Sequence, residues 1–195
     1  MKVFNEEDIV SRLREVASRR EAFAAVVREY SPSLYWQVRR MVTYHDDADD
    51  VMQNVWLKAW SGLDGFRGDA RLSTWLHRIA YNETLTFLNR QRETLSLDTA
   101  IGEEDNEEGT LTIADRLEGD TYFDGEAAEA MLQAAVACLP AKQRAVFVMK
   151  YFDEMKYEDM SAVTGTSVGA LKASYHLAVK KICRQLNLDG GAESE

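Results

Sequence analysis

KYEDMSAVTGTSVGALKASYHLAVKK, residues 156–181, decides the fold. It reads as two short helices joined by a tight turn. Residues 157–163 form the first helix. Gly165 stands where a chain leaving a helix needs a positive φ, which glycine adopts without steric cost. Thr166 or Ser167 then caps a second helix, because a hydroxyl there accepts a free backbone N–H. In that second helix Val168, Leu171, Tyr175, Ala178 and Ile182 recur at steps of three and four. They make one apolar face that packs down on the first helix. The opposite face holds Gly169, Ala170, Lys172, Ala173, His176 and Lys180. Small residues with scattered cations suit a helix lying close to a polyanion. The pattern is that of a helix-turn-helix with its second helix in the DNA major groove. The plain alternative is an αα-hairpin that only packs.

Working outward, the 195 residues give room for one large or two small domains. Only 2 Pro and 11 Gly interrupt the chain, so long helices are permitted. Cys138 and Cys183 have no CxxC partner and read as small apolar residues in a reducing cytoplasm. The first residues, MKVFNEEDIVSRLRE, are charged and lack the apolar core of a signal peptide. No apolar run is long enough to span a bilayer, so the expectation is a cytoplasmic protein without membrane insertion. The net charge of −10 looks wrong for a DNA binder until it is divided. Residues 1–92 carry +1, residues 93–126 carry −11 and residues 127–195 carry 0. One acidic segment therefore separates two near-neutral ones, and the total is no argument against nucleic acid.

Residues 6–30 are helical in period, with Ile9, Leu13, Val16, Phe23, Val26, Val27 and Tyr30 on apolar faces. Ser31–Pro32 is expected to end or kink that run, and Leu34, Tyr35, Val38, Met41 and Val42 carry the next helix. HDDADD, residues 45–50, suits a helix N-terminus, where acids meet free N–H groups and the positive dipole end. A calcium loop would need a glycine and a later glutamate that this spacing lacks. The helix 49–61 has one stripe of Val51, Val55 and Ala59 and another of Met52, Trp56 and Trp60. It is either a buried core helix or one with a flank left for a protein partner. SGLDGFRGDARL, residues 61–72, interrupts the helices with three glycines. Residues 73–92 return to helix, with Trp75, Leu76, Ile79, Ala80 and Phe87 toward a core. Aromatics interleaved with Arg and Asn beside a Gly-rich loop suit single-stranded nucleic acid. A core helix with a solvated basic end fits the residue types equally well.

Residues 93–126 show no dependable period and read as a flexible acidic linker. Helix returns at 127–138, and Leu139–Pro140 starts another, with proline in a first-turn position. Residues 187–195 read as a fraying tail. Gly165–Thr166–Ser167–Val168–Gly169 matches the G-x-S-x-G hydrolase pattern literally, yet it follows a helix rather than a strand. Ser167 is therefore read as a cap or phosphate contact. His45, His77 and His176 show no metal-ligand spacing, and no phosphate-binding loop is present. No metal, cofactor or enzymatic activity is expected.

These segments resemble the bacterial extracytoplasmic-function (group IV) sigma factors of RNA polymerase. In the first half the resemblance rests on YSPSLYWQVRRM, DDADDVMQNVWLKAW and FRGDARLSTWLHRIAYN. In the second half it rests on LPAKQRAVFVMKYFDEMKYEDMSAVTGTSVGALKASYHLAVKKI. Ser161 stands where an alanine is usual, and Asn54 where an acid is common. The resemblance implies an all-α protein of two helical domains joined by a flexible acidic linker. The C-terminal domain would be helix-turn-helix and winged-helix-like. Residues 1–92 would be sigma region 2, residues 93–126 the linker and residues 127–186 sigma region 4.

The resemblance also implies roles. Asp50, Gln53, Asn54 and Leu57 would dock on the clamp helices of the polymerase β′ subunit. Phe66, Arg67, Arg71, Trp75, Arg78, Tyr81 and Asn82 would read the −10 promoter element and hold it open. A flipped base would sit in the loop's pocket. Ser167, Val168, Gly169, Lys172, Ser174, His176 and Lys180 would meet the −35 element. The linker would thread the active-site and RNA-exit channels, and the C-terminal domain would rest on the β flap. An anti-sigma factor is the implied regulatory partner. The competing readings are a stand-alone helix-turn-helix regulator and a protein scaffold without a DNA role. The first 92 residues weigh against a regulator, because they offer an aromatic helix and a basic loop instead of a sensor module.

Overall fold

The computed structural model describes residues 4–66, 68, 70–99 and 127–186, with backbone alone at 93–99, 127 and 128. Arg67, residues 100–126 of the acidic segment and the tail from 187 lie outside the described residues. Every element among the described residues is helical, and no strand is found among them beside the helix-turn-helix.

Helix α1, Glu6–Arg14, is capped by Asn5, whose Oδ1 accepts the N–H groups of Glu7 and Asp8. The periodic run expected from 6 to 30 breaks here. Glu15 is extended, and two side chains take up the carbonyls at the end of α1. Ser18 Oγ donates to Arg12 O, and Arg19 Nε donates to Leu13 O. Val16, expected on an apolar face, falls in this turn and is 85% exposed. Helix α2, Arg19–Arg39, then continues past Pro32 and does not end there as one of the two expected outcomes had it. Proline removes one i→i−4 bond, at the carbonyl of Arg28. Both residues are exposed, so water can meet that carbonyl. The core face continues across the site through Val26, Leu34 and Val38, all at most 1% exposed. Burying each such side chain is worth about 1.5–3 kcal/mol. Together the three exceed the roughly 3 kcal/mol that an interior proline costs a helix through its lost bond and its ring clash.

Helix α3, His45–Gly62, starts with Asp46 and Asp47 in its first turn, as a helix N-terminus favours. A short 3-10 turn, Leu63–Gly65, leads into the Gly-rich loop, and α4 spans Leu72–Thr99, past the expected linker boundary at 92. Helices α1 to α4 enclose one core around Leu34, Val51, Val55, Leu72 and Leu76. The C-terminal segment builds a second core from α5, Ala127–Ala137, α6, Ala141–Phe147, α7, Tyr157–Thr164, and α8, Val168–Gln185. Pro140 takes the capping position just ahead of α6 rather than its first turn. A π-helical turn, Val148–Phe152, links α6 to the chain entering α7.

The two cores meet. Met41 and Tyr81, from the first half, are buried in the second core. Arg144, on α6, is 6% exposed, and its Nη1 donates to Met41 O at 2.6 Å. Its Nη2 donates to Leu139 O at 3.0 Å and also to Ala137 O. Arg40 reaches Asp153 at 3.6 Å and lies over the Phe152 ring, 4.4 Å from its centroid. Arg78 Nε, on α4, donates to Val163 O of α7 at 3.5 Å.

Candidate nucleic-acid and polymerase interfaces

The turn of the helix-turn-helix is built by its own side chains. Gly165 has φ +70° and its N–H donates to Ser161 O, closing α7. Thr164 Oγ1 accepts the Thr166 N–H at 3.2 Å, and Ser167 Oγ accepts the Ala170 N–H at 3.3 Å. Ser167 is therefore the cap of α8. With the turn set, Leu171, Ala178 and Ile182 point into the core. Gly169, Lys172, His176 and Lys180 stay exposed, while Val168 and Ser174 are half-buried. Lys172 Nζ leans toward α7, 5.6 Å from the centre of the Tyr157 ring, which Lys150 also approaches at 5.2 Å. The α8 surface thus offers small residues, a helix N-terminus and spaced cations. Those are the features that admit a helix to a groove and attract phosphate.

Helix α3 resolves its two stripes differently. Val51, Val55 and Ala59 are at most 1% exposed and Met52 is 7% exposed, so these four make the core side. Trp56 and Trp60 pack edge-on around Phe23, leaving Trp60 partly open. Asp50, Gln53, Asn54 and Leu57 are all exposed. Their spacing of three, one and three places them on one face. Leu57, at 62% exposure, is an apolar side chain left in water at the centre of a polar face. That combination fits a protein-docking surface. Asn54 Nδ2 folds back to Asp50 O at 3.0 Å, and Lys58 beside it pairs with Glu83 at 2.5 Å.

Between α3 and α4 the loop brings Phe66 against Trp75, ring centres 4.9 Å apart and tilted by 39°. Arg71, Arg78 and Asn82 are exposed along the start of α4. Gly68 has φ +79°, a conformation that favours glycine. A cavity of 640 Å³ opens between this loop and α1, with Val10, Ser11 and Arg14 facing Phe66, Gly68 and Arg71. Tyr81 sits differently from the rest. Its ring is 8% exposed because the C-terminal half packs over it, and burial pushes its phenol pKa upward. In this arrangement Tyr81 is turned to protein and Arg78 is engaged by Val163.

The acidic start of α3 makes no side-chain cap: Tyr44 holds the capping position without a side-chain hydrogen bond, and Asp46 and Asp47 meet the helix dipole. His45 Nδ1 meets Tyr35 Oη at 2.5 Å, and burial raises the Asp47 carboxyl. Among the described residues no group of three or more His, Cys, Asp or Glu is placed to hold a metal ion. No described helix is long and apolar enough to cross a membrane. Two residues that no local motif announces prove central to the geometry. Arg144 ties the halves together, and Glu6 reaches the N-terminus of α4.

Residues 26–94 match the family Sigma-70 region 2, and residues 129–182 match Sigma-70, region 4. The ECF RNA polymerase sigma factor SigW of Bacillus subtilis is 28% identical over 184 residues, covering 91% of this chain and 96% of that protein. This chain belongs to the extracytoplasmic-function sigma factors. The ECF RNA polymerase sigma-E factor of Escherichia coli is 29% identical over 154 residues, covering 78% of this chain and 80% of its own. Two solved structures share the fold at a TM-score of 0.65 and 22% identity. One is the sigma factor RpoE in complex with the anti-sigma factor NepR from Bartonella quintana, covering 86% of this chain and 98% of that one. The other is CnrH in complex with the cytosolic domain of CnrY, covering 94% and 98%. As a sigma factor, the protein binds core RNA polymerase and promoter DNA and directs transcription initiation.

Proposed function

We propose a residue-level division of that work. The exposed α3 face of Asp50, Gln53, Asn54 and Leu57 docks on the β′ clamp helices. Phe66, Arg67, Arg71, Trp75, Arg78, Tyr81 and Asn82 read and hold open the −10 element, with a flipped base stacked in the loop's cavity. Ser167, Val168, Gly169, Lys172, Ser174, His176 and Lys180 face the −35 element. Residues 1–92 act as region 2, with α4 extending beyond that boundary, and residues 127–186 act as region 4 on the β flap. The acidic segment 93–126 threads the polymerase channels. An anti-sigma factor holds the protein inactive in the cytoplasm, as the complexes of RpoE with NepR and CnrH with CnrY suggest by analogy. The observation that carries this reading is the capped α8. Its small, cationic side is exposed and directly opposes its buried Leu171, Ala178 and Ile182.

The test is transcription in vitro with sigma-free core polymerase and a promoter library. A promoter-dependent transcript is expected, and its absence would refute the proposal. Lys172→Ala should weaken −35 recognition while core binding stays intact. Equal loss of both would contradict the division of roles. With few cations on α8, the chain alone should bind DNA weakly, because affinity follows phosphate neutralisation.

A further inference from the structure

The first N–H groups of an α-helix have no partner within the helix. Helix α4 begins at Leu72, and its first turn contains no acidic residue. Its Leu72 N–H is met from far away in the chain. Oε1 of Glu6 accepts it at 2.7 Å, across a separation of 66 residues. A carboxylate at that place satisfies an orphan donor and sits on the positive end of the helix dipole. Glu6 is not needed to cap its own helix, because Asn5 does that. Its second oxygen faces the Tyr30 hydroxyl at 3.5 Å, and Phe4 holds the Tyr30 ring edge-on at 5.6 Å. Burial, then the charges of Glu6 and Glu29, push Tyr30 up to about 12, so its hydroxyl keeps the proton it can donate. A second tie secures the same region. Arg19, just after α1, pairs with Asp64 of the 3-10 turn at 2.9 Å.

The capped end of α4 is also the exit of the Gly-rich loop. Arg71 precedes Leu72, and Trp75, in the first turn, pairs with Phe66 across the loop. Helix α1 forms the other wall of the 640 Å³ cavity. All of α1 lies outside the matched region 2 segment, which begins at residue 26.

We propose that α1 is a working part of the −10-reading module. Glu6 is its positioning residue, fixing the start of α4 and hence the placement of Arg71, Trp75 and Phe66. This rests on the reading that the loop and α4 handle the −10 element. The contact is an anchor rather than a DNA contact, since both Glu6 oxygens face protein donors.

The test uses the full chain with core polymerase and a promoter selected by the wild-type protein. Core affinity, permanganate reactivity of −10 thymines and base preference in the −10 element are measured for Glu6→Ala and Glu6→Gln. Glu6→Ala should lower promoter opening about tenfold, the order expected for losing a capping group. It should also relax the −10 base preference. Core affinity should hold within about twofold, because Glu6 shares no partner with the α3 docking face. Glu6→Gln should retain most of the opening, since an amide oxygen accepts the same N–H. Wild-type opening by Glu6→Ala overturns the proposal, and so does a matching loss of core affinity, which would mark general unfolding. Arg71→Ala and Trp75→Ala separate the two levels. If they open normally, the −10 reading itself fails. If they lose opening while Glu6→Ala does not, only the role of Glu6 falls.

Discussion

Replacing Arg144 by alanine tests the join between the two halves. The guanidinium is 6% exposed and donates to three backbone carbonyls, Met41 O, Leu139 O and Ala137 O. Alanine supplies none of those donors. A buried carbonyl left without its partner costs about 1–3 kcal/mol. Two of the three lie at the α5–α6 junction, so the C-terminal half alone should lose about 2–6 kcal/mol. The third, Met41 O, is the share that crosses between the halves. All four tryptophans, Trp36, Trp56, Trp60 and Trp75, lie in the N-terminal half. Tryptophan fluorescence therefore follows that half, while far-ultraviolet circular dichroism follows both. In urea, Arg144→Ala should pull the circular dichroism midpoint well below wild type and move the fluorescence midpoint less. Arg144→Lys should fall between, because an ammonium keeps the charge but not the fork. A loss below about 1 kcal/mol would refute the reasoning, since it would mean that water replaces the guanidinium at all three carbonyls.

Gly165→Ala has open space for its new Cβ but must hold φ +70°. It should cost about 1–2 kcal/mol from backbone strain alone, read as a lower thermal midpoint, with Gly165→Asn milder. Leu57→Asp should abolish core binding in a pull-down while leaving the circular dichroism spectrum unchanged, because the side chain is exposed. Burial pushes the Asp153 carboxyl up to about 6, against the pull of Arg40, which itself feels Glu129. The folded chain thus holds this proton more tightly than the unfolded chain, and stability from this group falls as pH rises from about 4 to about 6. Asp153→Asn should flatten that slope in urea titrations; an unchanged slope would show that the carboxyl is not the source.

The helix-turn-helix was legible because its determinants are local. Gly165, Ser167 and the three-four spacing of Leu171, Ala178 and Ile182 each act within a few residues. The exposed face of α3, with Asp50, Gln53, Asn54 and Leu57, was legible for the same reason. Pro32 was not, because its local penalty is overridden by a core face that only tertiary packing reveals. Val16 fits a helical period, but the carbonyls of Arg12 and Leu13 are claimed by Ser18 and Arg19, which ends the helix first. Glu6 and Arg144 act across 66 and 103 residues, and nothing in a window of sequence couples such positions. Tyr81 illustrates the converse. Its residue type suits stacking on a base, yet the same ring fills a protein core equally well.

With the proposed −10 roles of Tyr81 and Arg78, promoter reading and closure of the two halves would compete for one surface. Tyr81 then engages the −10 element only in chains that have parted, and the apparent affinity for that element scales with their fraction. With one chain in about a hundred parted, affinity is weaker by about a hundredfold, with no change in any DNA contact. A regulator then has no need to cover the DNA-reading residues. It can act by binding the closed shape alone, at any distance from them.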